Sequence, residues 1–455
     1  MLPVVSGGER ETIRSDAVEG VDGRVADVAR APRIRAREAV ETAREEGFDA
    51  LAAVPIRDLL DRVADAGRRF EGIGPSDLAP REAYERRVAR ATGLPVGWVH
   101  DSAHWLGFGL RNAAASLRAQ SPTADLDPYD DPAYTRETTV GLAFAPRVRV
   151  LGAVLPGNDP AVAAWPALAL AMKVPVVVRP SRRDPFTPVR LARALLAAGV
   201  PESAVHVLPG PRAVGETVVR ESDHALVFGG DAATDPYRDD PAVETYGPGR
   251  SVAVVARDPT ERELETLARG VTRTGGRACF ALSRVVAVGD CDPDDLAERL
   301  APRVAAATDG PVTDPVTDVP AFPDVERARA VDARADEAGR DATAAHREGP
   351  RLREHGDHAR LAPTVVRASS LVPELPFPFA GVTGHDGDPR DLLADLGRAY
   401  LGVVVGSARY ERAFVRSPRV RKVYGGAYPP GVDLRETHET FLAEFLYETT
   451  TYDPS

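Results

Sequence analysis

Residues 150–160 read Val-Leu-Gly-Ala-Val-Leu-Pro-Gly-Asn-Asp-Pro, and this stretch decides how the chain is expected to fold. A short apolar run that ends in turn residues is typical of a buried strand, and the apolar segment after it has helical length. The same alternation continues to residue 255. Short strands separated by helices predict an α/β fold with a doubly wound parallel sheet. The predicted strands are 150–155, 175–178, 205–208, 225–228 and 251–255, and the predicted helices are 161–172, 188–198 and 213–220.

The regions on either side of this alternation have their own patterns. Before it come a polar segment at 1–50 with helical bias at 33–46, and then three helical patterns. A second α/β unit is expected from about residue 260 to 406, and within it 307–360, rich in Asp, Ala, Arg and Pro, is predicted to form exposed helices and loops. The remaining patterns are helices at 56–70, 80–92 and 96–119 and strands at 138–144 and 445–452.

Composition limits the class of protein. A chain of 455 residues with 43% hydrophobic and 27% charged residues is expected to be a globular protein of two or three domains. A net charge of -11 argues against a general nucleic-acid binder. Two cysteines cannot staple a chain of this size, which favours a reducing cytoplasm. The most apolar stretch, 148–178, is interrupted by prolines and charges, so no membrane span is predicted.

Cys279 is the first candidate for chemistry. It lies in Gly275-Gly276-Arg277-Ala278-Cys279-Phe280, between a glycine pair and an apolar run. Glycines allow a substrate and the backbone to approach closely, so this is a suitable place for a nucleophilic thiol. The alternative is a buried, inert cysteine. Cys291 lies in a turn pattern and is expected to be incidental.

Asn158 is the second candidate. It follows a predicted strand and precedes a predicted helix, where a side-chain amide can stabilise a developing oxyanion. The alternative is that Asn158 caps the helix. No metal-binding site is predicted.

Taken in order, several short motifs carry a resemblance to a known family. They are Leu155-Pro156-Gly157-Asn158-Asp159-Pro160, Arg179-Pro180-Ser181-Arg182, Pro209-Gly210 with Gly215, Phe228-Gly229-Gly230-Asp231, Tyr246-Gly247-Pro248-Gly249-Arg250-Ser251, Arg277-Ala278-Cys279, Ala362-Pro363-Thr364-Val365, and Glu374-Leu375-Pro376-Phe377-Pro378. From roughly Thr138 to Tyr428 the chain resembles the aldehyde dehydrogenase superfamily. The order and spacing of the motifs carry the resemblance, since no single motif is specific.

The resemblance implies a set of site residues. Cys279 would be the nucleophile and Asn158 an oxyanion donor, with a nicotinamide cofactor bound by Arg179, Ser181, Arg182, Gly210, Gly215, Gly229, Gly230 and Glu374. Arg182 stands where the family has a ribose-binding Glu, with Arg183 beside it. Arginine pairs well with phosphate, so NADPH is preferred, with NADH possible; the alternative is a solvated arginine pair. Asp231 replaces a serine beside the phosphates, which makes a contact there doubtful. The proton donor is unassigned; His438 is a candidate, although a surface position is the preferred interpretation.

One departure from the family motifs indicates which branch of the superfamily the chain resembles. Tyr246 stands where aldehyde dehydrogenases carry a general-base Glu, and Glu244 is expected to point elsewhere. Release of the acyl group to water needs a base, whereas exchange with coenzyme A does not. The chain is therefore most similar to the acyl-CoA reductase branch, of the kind that supplies long-chain aldehyde in bacterial luminescence. The alternatives are oxidation of a free aldehyde, with Glu244 or another residue holding the water, and a non-catalytic binding subunit.

The expected organisation follows from this resemblance. Residues 1–133 and 150–250 would form the cofactor-binding domain, 251–430 the catalytic domain, and 134–149 with 440–455 the oligomerisation strands. The expected protein is a cytoplasmic homo-oligomer that reduces acyl-CoA. An acyl-transferase or synthetase is a possible partner.

Overall fold

The structure, a computed structural model, describes residues 1–74, 77–131, 133–134, 141–339, 344–346, 349–429, 435–436 and 440–452, so His438 lies outside the described residues. In chain order the strands are β1 Val4–Ser6, β2 Glu9–Arg10, β3 Ser15–Gly20, β4 Gly23–Ala29, β5 Ala133–Tyr134, β6 Gly141–Pro146, β7 Leu151–Val154, β8 Val176–Arg179, β9 Val205–Val207, β10 His224–Phe228, β11 Val243–Tyr246, β12 Ser251–Val255, β13 Leu282–Val288, β14 Ala321–Phe322, β15 Ala344–His346, β16 Leu352–His355, β17 His358–Leu361, β18 Thr364–Arg367, β19 Phe379–His385, β20 Ala399–Val405, β21 Val420–Gly425 and β22 Tyr447–Tyr452. The α-helices are α1 Arg33–Thr42, α2 Phe48–Ala52, α3 Ile56–Glu71, α4 Arg81–Thr92, α5 Val96–Arg111, α6 Ala113–Gln120, α7 Ala164–Ala171, α8 Phe186–Ala197, α9 Arg212–Glu221, α10 Asp231–Thr234, α11 Glu261–Thr272, α12 Pro293–Ala305, α13 Val325–Ala338, α14 Pro389–Leu396, α15 Ala408–Val415 and α16 Leu442–Leu446.

The first sheet has the strand order β11-β10-β7-β8-β9-β1-β2. The five strands from β11 to β9 run parallel, and β1 joins β9 antiparallel. Their short apolar runs are buried on both faces, which is what a parallel sheet covered by helices requires. The predicted doubly wound parallel sheet is confirmed.

The second sheet has the order β15-β18-β19-β13-β12-β20-β21 and is parallel except for β15. All residues of β12 and β13 are buried. Asn158, Ser181 and Gly229 follow β7, β8 and β10 of the first sheet, whereas Cys279 precedes β13. The carboxyl ends of the first sheet therefore face the amino ends of the second, and ligands of open parallel sheets bind at carboxyl ends.

A small sheet of β22, β6 and β5 lies apart from the two large ones. Within it β22 pairs antiparallel with β6 along its whole length. The predicted strand at 445–452 begins later than expected because Leu442–Leu446 form a helical turn first. A role for these strands between subunits stays a prediction.

Two regions differ from the sequence-based expectation. Residues 307–360 were expected to be exposed helices and loops, but β14, β16 and β17 form an antiparallel sheet under α13, with Phe322 and Val331 buried between them. The N-terminal 50 residues include β1, which extends the first sheet, and the β3–β4 hairpin. The helix expected at 96–119 is interrupted at Asn112. Among the described residues, no helix is long and apolar enough to cross a membrane.

Candidate active site at the junction of two cavities

Cys279 lies where two cavities meet. One is a cleft of about 430 Å³ between the carboxyl ends of the first sheet and the second domain. The other is a narrower tunnel of about 140 Å³. Asp159, Val162 and Cys279 line both. Cys279 is half-buried, not buried as the alternative interpretation expected, and its role as a nucleophile stays a prediction.

The glycine pair before Cys279 fixes the path of the backbone. Thr274, Gly275 and Gly276 all have positive φ angles, of 50°, 62° and 70°. A Cβ atom on Gly276 would lie 2.4 Å from the backbone of Phe377, so no larger residue fits there. Thr274 is buried in a conformation that is rare for a β-branched residue, and such strain is concentrated at functional sites.

The main chain of Cys279 is held by the loop that carries the Tyr246 motif. A Cβ atom on Gly249 would lie 1.9 Å from the Cys279 carbonyl oxygen. The Ser251 hydroxyl donates a hydrogen bond of 2.7 Å to the same oxygen. The glycine at 249 therefore allows a close contact that positions the thiol.

Asn158 is oriented by the residue two positions before the thiol. Its Nδ2 donates to the Arg277 carbonyl oxygen at 2.7 Å, and the side chain lines the cleft. One amide hydrogen is left to face a ligand, since the NH₂ group has two. The alternative of Asn158 as the helix cap is wrong, because the Asp159 carboxylate accepts from the Ala161 N–H at 2.9 Å and caps the turn instead.

Asp159 is a buried carboxylate on the shared wall of the two cavities. Burial raises its pKa above the usual value, against the hydrogen bonds from the Ala161 N–H and the Ser102 hydroxyl. Because it lines the same cavities as Cys279, this buried carboxyl with a raised pKa is a candidate general base. The sequence analysis did not assign it a role.

Glu374 lines the cleft and accepts a 2.5 Å hydrogen bond from the Arg250 N–H. Its burial raises its pKa. The Arg250 guanidinium pairs with Asp231 at 2.9 Å. The Asp231 carboxylate is thus paired with a guanidinium, and Glu374 offers a carboxylate to the cleft.

Some of the other predicted cofactor residues line the cleft, and the rest do not. Ser181, Gly229 and Gly230 line the cleft. Arg179 lies beside it and donates to the Gly210 carbonyl oxygen at 3.0 Å, and a Cβ atom on Gly215 would touch the Arg179 side chain. Arg182 is exposed and lies outside the cleft lining, whereas its neighbour Arg183 lines it.

Tyr246 occupies the wall where the family resemblance expects a base. Its ring stacks on Phe228 with the ring centroids 4.3 Å apart, and both line the cleft. Glu244 does not line either cavity at Cys279. Burial raises the pKa of Glu244, and the positive charges of Arg421 and Arg398 oppose that shift. Glu244 is therefore not placed to serve the thiol.

The tunnel was missed by the sequence analysis. It is lined by the three tryptophans of the chain, Trp98, Trp105 and Trp165, with Phe280 and Tyr400. Trp98 and Trp105 are seven residues apart on α5 and so share one helix face. That spacing was visible in the sequence, but the partner face on α7 was not.

Cys291 does not line either cavity at Cys279. Cys291 is buried in the core of the second domain, and burial raises its pKa to about 11, which fits the prediction that it is incidental. No group of three or more His, Cys, Asp or Glu residues suited to a metal ion occurs in the described part of the chain.

The chain is similar in sequence to a known protein family and to several of its members. The Aldehyde dehydrogenase family matches residues 18–371. An alpha-ketoglutarate semialdehyde dehydrogenase of Haloferax volcanii is 32% identical over 40% of this chain and 38% of its own length. A geranial dehydrogenase of Castellaniella defragrans is 28% identical over 58% of both chains. The chain thus spans 38% of the length of the first relative and 58% of the length of the second.

The fold has matches over the whole chain. A NAD+ complex of an aldehyde dehydrogenase from Bacillus cereus superposes with a TM-score of 0.82 at 15% identity, covering 100% of this chain and 97% of that one. The predicted superfamily and fold are confirmed. The narrower acyl-CoA reductase branch is not shown, since the curated relatives are named as aldehyde dehydrogenases. With the family matched from residue 18 to 371, the chain belongs to the aldehyde dehydrogenase family.

Proposed function

We propose that this protein is a nicotinamide-dependent oxidoreductase that oxidises an apolar aldehyde to a carboxylic acid through a thioester on Cys279. The observation that carries the proposal is the position of Cys279 at the junction of a cleft with charged and polar side chains and an aromatic tunnel. A thiol at such a junction can meet a cofactor from one side and a substrate from the other. The names of the matched relatives favour this direction of reaction over acyl-CoA reduction.

The residues of the cleft fit a dinucleotide. Gly230 has open space where a Cβ atom would be, so the backbone there can be approached closely. Glu374 offers a carboxylate to a ribose hydroxyl, and Ser181 and Arg183 lie on the opposite wall. When bound, the nicotinamide supplies the acceptor for the hydride. NADP(H) remains the preferred form of the cofactor. The reason is now that Arg183 lines the cleft, whereas the sequence analysis relied on Arg182.

The tunnel determines the class of aldehyde. Its aromatic lining offers large apolar contact surfaces, and burial of apolar area contributes about 25 cal/mol per Å². A volume of about 140 Å³ suits a narrow, apolar substrate rather than a highly charged one. We propose an aliphatic or aromatic aldehyde that enters by way of α5.

The chemical steps balance with the residues present. The Cys279 thiolate adds to the aldehyde carbon, forming a C–S bond, and the oxygen becomes an oxyanion that Asn158 and the Cys279 N–H stabilise. Each such donor typically contributes on the order of 3 kcal/mol. Loss of hydride with two electrons from that carbon leaves a thioester. Water then adds while Asp159 accepts its proton, the C–S bond breaks, and the carboxylic acid and the thiolate are released.

A second candidate is exchange of the acyl group with coenzyme A, as the sequence analysis favoured. The observation behind it is the phenol of Tyr246 on the wall where the family resemblance expects a base. A thiol could then replace water in the last step. Run in reverse, the same steps reduce an acyl-CoA to an aldehyde. The two candidates differ only in the group that removes the acyl chain.

Product analysis separates the two candidates. The protein is incubated in ¹⁸O-labelled water with a medium-chain aldehyde and NAD⁺ or NADP⁺, with and without coenzyme A, and the products are identified by mass spectrometry. A carboxylate carrying ¹⁸O formed without coenzyme A is the result expected for aldehyde oxidation. Turnover only with coenzyme A, and an acyl-CoA product, would establish the second candidate. No NADH or NADPH formed from a range of apolar aldehydes under either condition would contradict both.

A further inference from the structure

A third cavity lies in the second domain, apart from the two that meet at Cys279. It is a groove of about 650 Å³ between α14 and α15, and most of the residues that line it are exposed. The two helices pack on one face of the second sheet through Leu392, Leu396 and Phe414. None of the described residues that line the groove also lines the cleft or the tunnel. The groove is therefore separate from the proposed site of the reaction.

Arginines dominate the lining of this groove. Arg409, Arg412 and Arg416 follow one another along α15 at intervals of three and four residues, so they share one helix face. Arg390 lines the groove from the first turn of α14, and Arg419 lies just before β21. All five residues are exposed, so a ligand in the groove can reach their guanidinium groups.

The protein compensates the charge of this lining only in part. Among the described residues that line the groove, Asp388 is the one carboxylate, and it pairs with Arg409 at 2.6 Å. Three other carboxylates lie on the same two helices, those of Asp391, Asp395 and Glu411. In the described part of the chain, no carboxylate oxygen lies within 4 Å of a guanidinium nitrogen of the other four arginines. Five arginines and one aspartate leave the lining with a net charge of +4.

The net charge of the whole chain limits the kind of anion that fits this groove. The chain carries a charge of -11, so the rest of its surface repels a large polyanion such as a nucleic acid or an anionic membrane. A small anion is different, because salt at 0.1 M screens charges beyond about 10 Å and leaves the arginines as its nearest charges. The volume of the groove falls within the roughly 300–1,000 Å³ of small-molecule pockets. These observations favour a compact, multiply charged anion.

We infer that the groove between α14 and α15 binds a small oligophosphate. An arginine fork pairs with two phosphate oxygens at once, and the arginines of α15 extend over about 10 Å of the helix axis, which suits several phosphates in a row. An inorganic oligophosphate and a nucleoside triphosphate share this chemistry. The described lining contains no aromatic side chain on which a base would stack, so the phosphates are expected to supply the contacts. The inference does not depend on the proposed function.

Calorimetry on the full chain tests the inference. Isothermal titrations at 0.1 M salt, without Mg²⁺, compare inorganic triphosphate, ATP and inorganic phosphate. The groove variant is Arg412→Gln/Arg416→Gln, which removes two charges from the lining. The matched control is Arg86→Gln/Arg87→Gln, which removes two charges from exposed arginines of α4 in the first domain. Thermal unfolding verifies that each variant folds.

The wild-type protein is expected to bind triphosphate at least tenfold more tightly than phosphate, because triphosphate contacts more arginines. The groove variant is expected to bind triphosphate at least tenfold more weakly than the wild type, whereas the control variant retains the wild-type affinity. Equal affinities for triphosphate and ATP would show that the phosphates alone are recognised. A preference for ATP that the groove variant loses would identify the nucleotide as the source.

Three results would overturn the inference. The first is no binding of triphosphate to the wild-type protein, and the second is an unchanged affinity in the groove variant. The third is an equal loss of affinity in the control variant, which would show a general effect of charge rather than a site. Because neither an aldehyde nor a nicotinamide takes part in these titrations, each of these results leaves the proposed function standing.

Discussion

One cavity at Cys279 is lined by glycines and arginines, whereas the other is lined by tryptophans. The cleft presents charged and polar side chains, and the tunnel offers aromatic faces. Cys279 and Asp159 line both cavities, so the proposed chemistry takes place where the two environments meet. Under the proposed function, the cleft is a general cofactor site and the lining of the tunnel determines which aldehyde is used.

The largest effect on turnover is expected from a substitution of Asp159, on the wall shared by the two cavities. Asp159→Asn removes the proposed base but keeps the cap and the volume, and general-base catalysis typically contributes 10²–10⁴-fold. We expect steady-state turnover to fall by roughly that factor, while the first, thioester-forming turnover is retained as a burst. Stopped-flow measurement of NADH or NADPH formation distinguishes the two phases.

The matched control for this variant is Asp101→Asn, since Asp101 lines only the tunnel and is exposed. It should leave both phases unchanged. An Asp159→Asn variant with normal steady-state turnover would show that another group activates the water.

A smaller effect on activity is expected from a substitution that changes only the tunnel. Trp105→Ala removes an aromatic wall from the tunnel, and Trp105 does not line the cleft. Loss of this apolar contact should lower kcat/KM for an apolar aldehyde by about tenfold or more, in line with about 1.5–3 kcal/mol for a buried large side chain. The dissociation constant of the dinucleotide should not change.

The control is Trp105→Phe, which keeps an aromatic ring and should retain most of the activity. If Trp105→Ala weakened dinucleotide binding as much as aldehyde turnover, the two cavities would not act separately. Steady-state kinetics with calorimetry on the same samples provides both quantities.

The smallest effect is on stability and its dependence on pH. The Asp159 carboxyl has a pKa raised above its ordinary 3.8 in the folded state, so the folded protein binds the proton more tightly than the unfolded chain. Stability contributed by this group is therefore lost as pH rises from about 3.8 through the raised pKa. We expect Asp159→Asn to unfold at a higher temperature than the wild type at neutral pH. The difference in unfolding temperature should disappear near pH 4. Calorimetry at both pH values measures it, and a difference that is the same at both would contradict the raised pKa.

The sequence predicted most of the first domain because its strands are short, apolar and separated by helices of regular period. β1 was missed since three residues carry little local signal and its place beside β9 depends on tertiary contact. The antiparallel strands in 307–360 were missed for a similar reason. Their composition is polar, and their apolar residues are buried only because α13 covers them.

The sequence predicted those candidate site residues that stand in one short motif. It missed those that come together only because distant segments of the chain meet in the fold. Cys279 and Asn158 were found because each stands in a short motif between a strand and a helix. Asp159 stands in the same motif, but burial, which raises its pKa, cannot be read from neighbours in sequence. Arg327 and Arg334 belong to no motif, and only the fold brings α13 to the cleft opposite Arg183.

The central claim is that Cys279 carries the acyl group between the two cavities. The most direct test is intact-protein mass spectrometry after mixing the protein with a medium-chain aldehyde and NAD⁺ or NADP⁺, and separately with the corresponding acyl-CoA without nicotinamide. We predict an acyl adduct on the wild type that peptide mapping assigns to Cys279 and that is absent from Cys279→Ala. An adduct on Cys291, or no adduct from either acyl donor under rapid quenching, would contradict the account.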